Sequence, residues 1–181
     1  GGSGDSGDPA RIPADSSVPL RSAEISVPRA NRRPRLLVMG GSQGARAINS
    51  LVITVLAALR DAGVDLLHQT GPHDLDRVRE AYKSHGYSPE DVEDRVIPFI
   101  HDMADAYRRA DLALCRAGAT TLAELAATGT PSVLIPFPFA AHDHQTGNAR
   151  AMAAVGGAVL TPENETEDRD MAGLLLSLLR D

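Results

Sequence analysis

Three short segments of this chain carry residue types and spacings suited to chemistry. The first is Gly40-Gly41-Ser42-Gln43-Gly44-Ala45-Arg46, which follows an apolar run. Glycines let a backbone turn sharply and approach a ligand closely, and a helix that follows offers unpaired N–H groups at its positive end. Those are the needs of a phosphate or diphosphate, although a tight turn without a ligand would use the same residues. The spacing is not G-x-G-x-x-G, and no acidic residue ends the second strand at Leu67-His68-Gln69-Thr70 to grip an NAD ribose. A dinucleotide oxidoreductase is weakened by both facts.

The second segment is Cys115-Arg116-Ala117-Gly118-Ala119-Thr120-Thr121-Leu122-Ala123-Glu124. Gly118 opens a turn, and a helix is expected to begin near Thr121. Thr121-x-x-Glu124 has capping-box spacing, and spacing alone favours Glu124 as a cap. The alternative is a carboxylate facing a ligand, where it can accept hydrogen bonds from both hydroxyls of a ribose while the helix-end amides favour a phosphate. Cys115 ends an apolar strand and reads as a small buried residue rather than a nucleophile.

The third segment, Pro136 to Ala149, crowds Asp143, His144, Gln145 and Asn148 at a helix start behind two stiffening prolines. Gln145 offers both a donor and an acceptor, which suits sugar hydroxyls. His142, Asp143 and His144 hint at a metal, but a site needs about three or four converging ligands and this cluster is local. Hydrogen bonding or capping is the favoured role for these histidines. His68, His73 and His85 have no readable partner.

These segments need a scaffold, and the apolar pattern supplies one. Short runs at Leu36–Met39, Val64–His68, Val96–Ile97, Leu112–Cys115, Ser132–Ile135 and Ala158–Leu160 alternate with helical stretches. Ile48, Leu51, Val52, Val55, Leu56 and Leu59 recur at spacings of three and four, giving one apolar helix face. Further helices are expected at roughly 75–84, 103–109, 121–128, 146–155 and 170–179. Buried strands separated by helices predict parallel βαβ units and an α/β fold, a doubly wound Rossmann-like sheet. Ligands in such sheets sit beyond the carboxyl ends of the strands, where all three segments fall.

Residues 1–34 differ: a Gly/Ser opening is followed by Pro9, Pro13, Pro19, Pro28 and Pro34 without periodicity. A flexible arm is expected there, ahead of the α/β domain at 35–181 that the resemblance below implies to bind a nucleotide sugar. The first eight residues have the composition of an engineered join, and the absent initiator Met suggests a segment of something longer.

The 181 residues include 18 Lys+Arg and 24 Asp+Glu, a net charge of −6, with no Trp, three Phe and three Tyr. That balance argues against a nucleic-acid surface. A hydrophobic content of 43% suits one globular domain. The single cysteine favours a reducing compartment, and no apolar run approaches the ~18 residues of a spanning helix. Membrane insertion and export are therefore not expected.

Taken together and in this order, the motifs at 40–45, 115–124 and 143–149, with Phe99-Ile100-His101-Asp102-Met103, closely resemble the C-terminal lobe of the MurG-type UDP-N-acetylglucosamine transferases of glycosyltransferase family 28. Val18-Pro19-Leu20-Arg21 looks like the family's entry to that lobe. The resemblance implies the donor lobe of a two-lobed (GT-B), metal-independent, inverting glycosyltransferase that makes lipid II from lipid I in peptidoglycan synthesis. It implies that Ser42 and the glycines around it, Gly41 and Gly44, with Arg21 and the Ala119 end of the helix, hold the UDP diphosphate, and that Gln43, Met103, Arg116, Gly118, Thr120 and Thr121 also bind the donor. Ile100 would meet uracil within a loop ending at Met103, and Glu124, near Thr121, would bind the ribose. His144 and Gln145 would hold the N-acetylglucosamine. No cofactor or metal is implied. The implied partners are UDP-N-acetylglucosamine, an acceptor-binding N-terminal lobe and, through it, a lipid-linked acceptor. The implied location is cytoplasmic, on the inner face of the plasma membrane. The acceptor lobe and its proposed base have no counterpart in these residues, so transfer by this lobe alone is not expected. His142 stands where many members carry Asp. The alternatives are a donor-binding subunit of a split glycosyltransferase, or a lobe of a UDP-sugar epimerase.

Overall fold

The structure, a computed structural model, describes residues 32–41, 43–139 and 144–181. Six strands, β1 (Arg35–Met39), β2 (Asp65–Gln69), β3 (Val96–Ile97), β4 (Leu112–Cys115), β5 (Ser132–Leu134) and β6 (Ala158–Leu160), form one sheet in the order β3-β2-β1-β4-β5-β6. Every pairing is parallel. Among the described residues seven α-helices accompany them, α1 (Arg46–Asp61), α2 (Leu75–Ser84), α3 (Pro89–Arg95), α4 (Met103–Arg109), α5 (Ala119–Thr128), α6 (His144–Ala154) and α7 (Met171–Arg180), with a 3-10 turn at Glu163–Glu165. This is the strand order of a Rossmann sheet, as the alternation of strands and helices predicts.

Strand alternation explains why both faces are covered. Leu36 and Val38 of β1 and Leu112 and Leu114 of β4 join a core with the apolar face of α1 and with Met171 and Leu175 of α7. Their neighbours Leu37, Met39, Ala113 and Cys115 point the other way, into a core with Ala106 and Tyr107 of α4 and Leu125 of α5. Side chains along a strand alternate between faces, so a sheet buried on both sides must be apolar at successive positions. The α1 residues expected to face the core are all buried.

The register aligns the strand ends in one row. Ile97, Gln69, Met39, Cys115, Leu134 and Leu160 are successive partners across the sheet. Every loop that leaves this row therefore starts from one edge. β1 is flanked by β2 on one side and β4 on the other, which makes the β1/β4 boundary the switch point where a crevice opens.

Two local expectations are corrected. Helix α3 was not anticipated, because a seven-residue stretch with only Val92 buried shows no apolar period; its start is marked by Ser88, whose hydroxyl accepts from the Asp91 amide, and by Pro89. Helices α5 and α6 begin at Ala119 and His144, two residues earlier than expected. Among the described residues, Arg32, just before β1, pairs with Asp111 through two bonds of 2.8 and 2.7 Å. The chain is thus tied to the domain before β1 begins.

Candidate functional site

The loop from β1 to α1 is shaped by its neighbour as much as by its own glycines. Gly41 and Gly44 have φ of 88° and 77°, and the Gly44 amide donates to the Gly41 carbonyl at 2.9 Å. A Cβ on Gly44 would lie 2.1 Å from the Thr70 carbonyl oxygen, and one on Gly71 would lie 2.5 Å from that of Gln43. The two loops interlock, backbone against backbone. Gln69, where a dinucleotide-binding protein would carry an acid, donates its side-chain amide to the Gly41 carbonyl at 2.9 Å.

Behind this pair of loops lies a buried polar network. Asn49 of α1 donates to the Thr70 carbonyl at 3.0 Å and to Asp74 at 2.9 Å. Its side-chain oxygen faces His68 Nε2 at 2.9 Å, and His68 Nδ1 meets the Tyr82 hydroxyl at 3.1 Å. An amide oxygen only accepts, so Nε2 carries the proton and Nδ1 accepts from Tyr82. Full burial pushes the His68 pKa down to about 3. Arg77 pairs with Asp74 at 2.6 Å and holds its carboxyl below the usual carboxylate range. His68, which has no readable partner in the sequence, is thus the buried middle of a chain that ends on the loop beside the glycines.

Two helices that open into the crevice at this edge, α1 and α5, have neither a side-chain cap nor an acid in the first turn. Ala45 precedes α1 and Gly118 precedes α5. Their N–H groups and positive dipole ends are open to an anion. The capping-box reading of Thr121 and Glu124 is overturned. α5 begins at Ala119, and its first helical bond runs from the Leu122 amide to the Gly118 carbonyl, which places Glu124 beyond the first turn. Its carboxylate instead accepts the Tyr107 hydroxyl at 2.8 Å.

These pieces enclose a cleft of about 740 Å³ at the switch point. Of the residues singled out in the sequence, Gly41, Gly44, Ile100, Met103, Arg116, Gly118, Thr121, Glu124 and Gln145 line it. Gln43, Ala119, Thr120 and His144 are exposed and do not. Arg21, Ser42, His142 and Asp143 lie outside the described residues, as does most of the expected arm. Among the described residues, no group of three or more His, Cys, Asp or Glu is placed to hold a metal. Cys115 is buried and its thiol is pushed up to about 12, which fits a packing residue rather than a nucleophile.

Arg116 does more than line the wall. Its guanidinium pairs with Glu163 at 2.5 Å, donates to the Ile135 and Pro136 carbonyls at 3.2 Å each, and lies 5.3 Å from the centre of the Phe137 ring. One side chain thereby ties together the loops after β4, β5 and β6. The Phe137 amide donates to Gln145 Oε1 at 2.8 Å, which fixes the start of α6 against the same loop. Tyr107, Gln69, Phe137 and Glu163 were missed as cleft residues. Their partners lie up to 47 residues away along the chain, as for Arg116 and Glu163, so only the sheet order brings them together.

Comparison with known proteins matches this architecture. Residues 35–181 match the glycosyltransferase family 28 C-terminal domain. A UDP-N-acetylglucosamine–N-acetylmuramyl-(pentapeptide) pyrophosphoryl-undecaprenol N-acetylglucosamine transferase of Nitratidesulfovibrio vulgaris strain DP4 is 52% identical over 169 residues, covering 93% of this chain and 45% of the relative. The enzyme of the same description from Lawsonia intracellularis is 52% identical over 146 residues, covering 81% of this chain and 39% of the relative. The crystal structure of Acinetobacter baumannii MurG superposes with a TM-score of 0.71 at 33% identity, over 83% of this chain and 44% of that one. The chain spans about half the length, or less, of the curated relatives it matches. A parallel Rossmann-like sheet, a cleft at its switch point and a family match over residues 35–181 agree: the chain belongs to glycosyltransferase family 28, through that family's C-terminal domain.

Proposed function

We propose that this domain binds UDP-N-acetylglucosamine and is the donor lobe of a MurG-type transferase that passes N-acetylglucosamine to a pyrophosphoryl-lipid acceptor. The carrying observation is the meeting of two uncapped helix N-termini and one carboxylate, Glu124, in a single cleft. Helix ends suit a diphosphate and a carboxylate suits a ribose diol. Ile100 and Met103 line the same cleft as an apolar wall for uracil, and Gln145 offers its amide to the sugar. The relatives' names, which describe this transfer, support the same assignment.

In this mechanism the acceptor hydroxyl attacks the anomeric carbon, the bond to the diphosphate breaks with inversion, and UDP leaves. The amides of α1 and α5 meet the negative charge that grows on the departing diphosphate. Donors fixed in place before the reaction are worth most where charge develops. The acceptor and its base belong to a second, N-terminal lobe, and no metal is needed. The working site is the cytoplasmic face of the membrane, reached peripherally; no helix among the described residues is long and apolar enough to cross a bilayer.

A proton–nitrogen NMR titration with UDP-N-acetylglucosamine, UDP-glucose, UDP and NAD tests the assignment. Shifts should cluster at 41–46, 99–103 and 116–124 for the uridine ligands, with none for NAD. Glu124→Ala should weaken UDP by about 1–3 kcal/mol, the worth of hydrogen bonds to a charged group, in a protein whose melting curve shows it folded. Unchanged affinity by calorimetry would remove Glu124 from the ribose.

Gln145→Ala should erode the preference for UDP-N-acetylglucosamine over UDP while leaving UDP binding nearly intact. An equal loss for both ligands would make Gln145 a brace for Phe137 and nothing more.

A further inference from the structure

The Tyr107–Glu124 bond joins two helices that the sheet places side by side. Tyr107, from α4, is 3% exposed, and its ring belongs to the core cluster that includes Leu37, Met39 and Cys115. Only its hydroxyl end has polar work to do, and that hydroxyl lies 2.8 Å from Glu124 Oε2, across 17 residues of chain. Both side chains line the cleft. Glu124 is half-buried on α5 and has three torsions to fix, whereas the tyrosine ring is held by its packing.

We infer that Tyr107 is a positioning residue for ribose recognition: by anchoring Glu124 Oε2 it holds the carboxylate ready for a vicinal diol, so that the cleft selects a ribonucleoside diphosphate over its 2′-deoxy counterpart. This rests on the donor-binding reading above. A carboxylate oxygen has two lone pairs, so the bond from Tyr107 leaves Oε1 and the second lone pair of Oε2 for the two hydroxyls. Burial, reinforced by the neighbouring carboxylate, raises the phenol's pKa well above its ordinary value, so the hydroxyl remains a donor throughout the working pH range. A group already held in its bound orientation loses less freedom when the ligand arrives. Removing the anchor therefore acts on the ribose contact and leaves the diphosphate contacts alone.

The experiment is calorimetry on the full 181-residue chain with UDP, 2′-deoxy-UDP and inorganic pyrophosphate, comparing wild type with Tyr107→Phe, Glu124→Gln and the double variant. Wild type should prefer UDP over 2′-deoxy-UDP by about tenfold or more, the worth of one charge-assisted hydrogen bond. In Tyr107→Phe that ratio should fall to within about threefold while pyrophosphate affinity is unchanged, and the double variant should be no worse than Glu124→Gln, because the two residues act as one unit. A ratio that survives Tyr107→Phe, or a loss shared equally by pyrophosphate, overturns the inference while leaving the donor site standing. Wild type that binds no UDP at all overturns the donor assignment and this inference with it. A readout on the wild type guards against a variant that does not fold. The ring-carbon resonance of labelled Tyr107 should move clearly on adding UDP, less with 2′-deoxy-UDP, which keeps only the 3′-hydroxyl, and not with pyrophosphate; equal movement with 2′-deoxy-UDP and UDP overturns the inference.

Discussion

Taking the wild-type protein from pH 6.5 to pH 4 is expected to remove about 3 kcal/mol of stability through His68 alone. In the unfolded chain this imidazole titrates near 6.5, while in the fold burial holds it down to about 3. Between those values the unfolded state binds one more proton than the native state. Stability therefore falls as pH falls, by about 1.4 kcal/mol per pH unit, and the loss continues until the folded value is reached. The imidazole is fully buried between Tyr82 and Asn49, so solvent does not screen the penalty. Asp74, the nearest carboxylate in the network, has its pKa depressed by Arg77. Its own contribution begins to fade near the ordinary carboxylate value and is lost as pH falls through its lowered folded value, so most of that loss lies below the window considered. A His68→Gln variant keeps a donor and an acceptor but does not titrate. Urea unfolding of both proteins at pH 7, 6, 5 and 4 measures the difference: the variant starts lower and its curve is flatter by about one proton's worth of slope. Parallel curves would mean that His68 is charged in the fold or exposed to water.

The same histidine marks the boundary of what a linear reading can reach. The alternation of apolar strands with amphipathic helices is local, and it foretells the doubly wound sheet, the edge at which the cleft opens, and the apolar face of α1. The glycine loop at 40–44 and the polar run ending at Glu124 are legible because their residue types answer to one kind of geometry, a backbone brought close to an anion. What a polar side chain touches is a different matter. Thr121 and Glu124 have the spacing of a capping box, yet the helix starts at Ala119, and Glu124 finds its partner on α4. Asn49 lies 19 residues before His68 and 25 before Asp74 and meets both because β2 lies beside β1 under α1. Arg116 is implied by the resemblance to bind the donor, and nothing local tells that its guanidinium meets Glu163 and two carbonyls after β5. Such contacts are products of strand order, and the order is decided by the whole core. α3 escaped notice for the opposite reason, since it is held by a cap and one buried valine and carries no apolar stripe.

Gly44→Ala tests the interlocked loops directly and is expected to damage both fold and binding. The added Cβ would stand 2.1 Å from the Thr70 carbonyl oxygen, at a φ of 77° that L side chains rarely adopt. The obstructing atom is backbone, and Asn49 holds that carbonyl by a buried hydrogen bond of 3.0 Å, so it cannot swing aside as a flexible side chain would. Strain at the left-handed backbone costs roughly 1–2 kcal/mol and overpacking a further 1–3, for an expected loss of about 2–5 kcal/mol. The loop must move to relieve the clash, and it carries the backbone leading into the uncapped start of α1. If the proposed donor site is right, UDP affinity should therefore fall at least tenfold, because a displacement of this end withdraws N–H groups from the diphosphate, each hydrogen bond to a charged group being worth about 1.5–3 kcal/mol. Gly63→Ala supplies the control. Gly63 has a φ of 72°, and its added Cβ would meet nothing within 4 Å. That variant should carry the backbone strain alone, about 1–2 kcal/mol, and bind UDP like wild type. The two effects separate in a paired measurement of urea unfolding and UDP calorimetry. If Gly44→Ala loses no more stability than Gly63→Ala and binds UDP equally well, the contact between the β1–α1 and β2–α2 loops does not set the shape of the anion site. If it loses stability but keeps its UDP affinity at a temperature where it is folded, the contact supports the sheet edge, and the diphosphate is held by α5 alone.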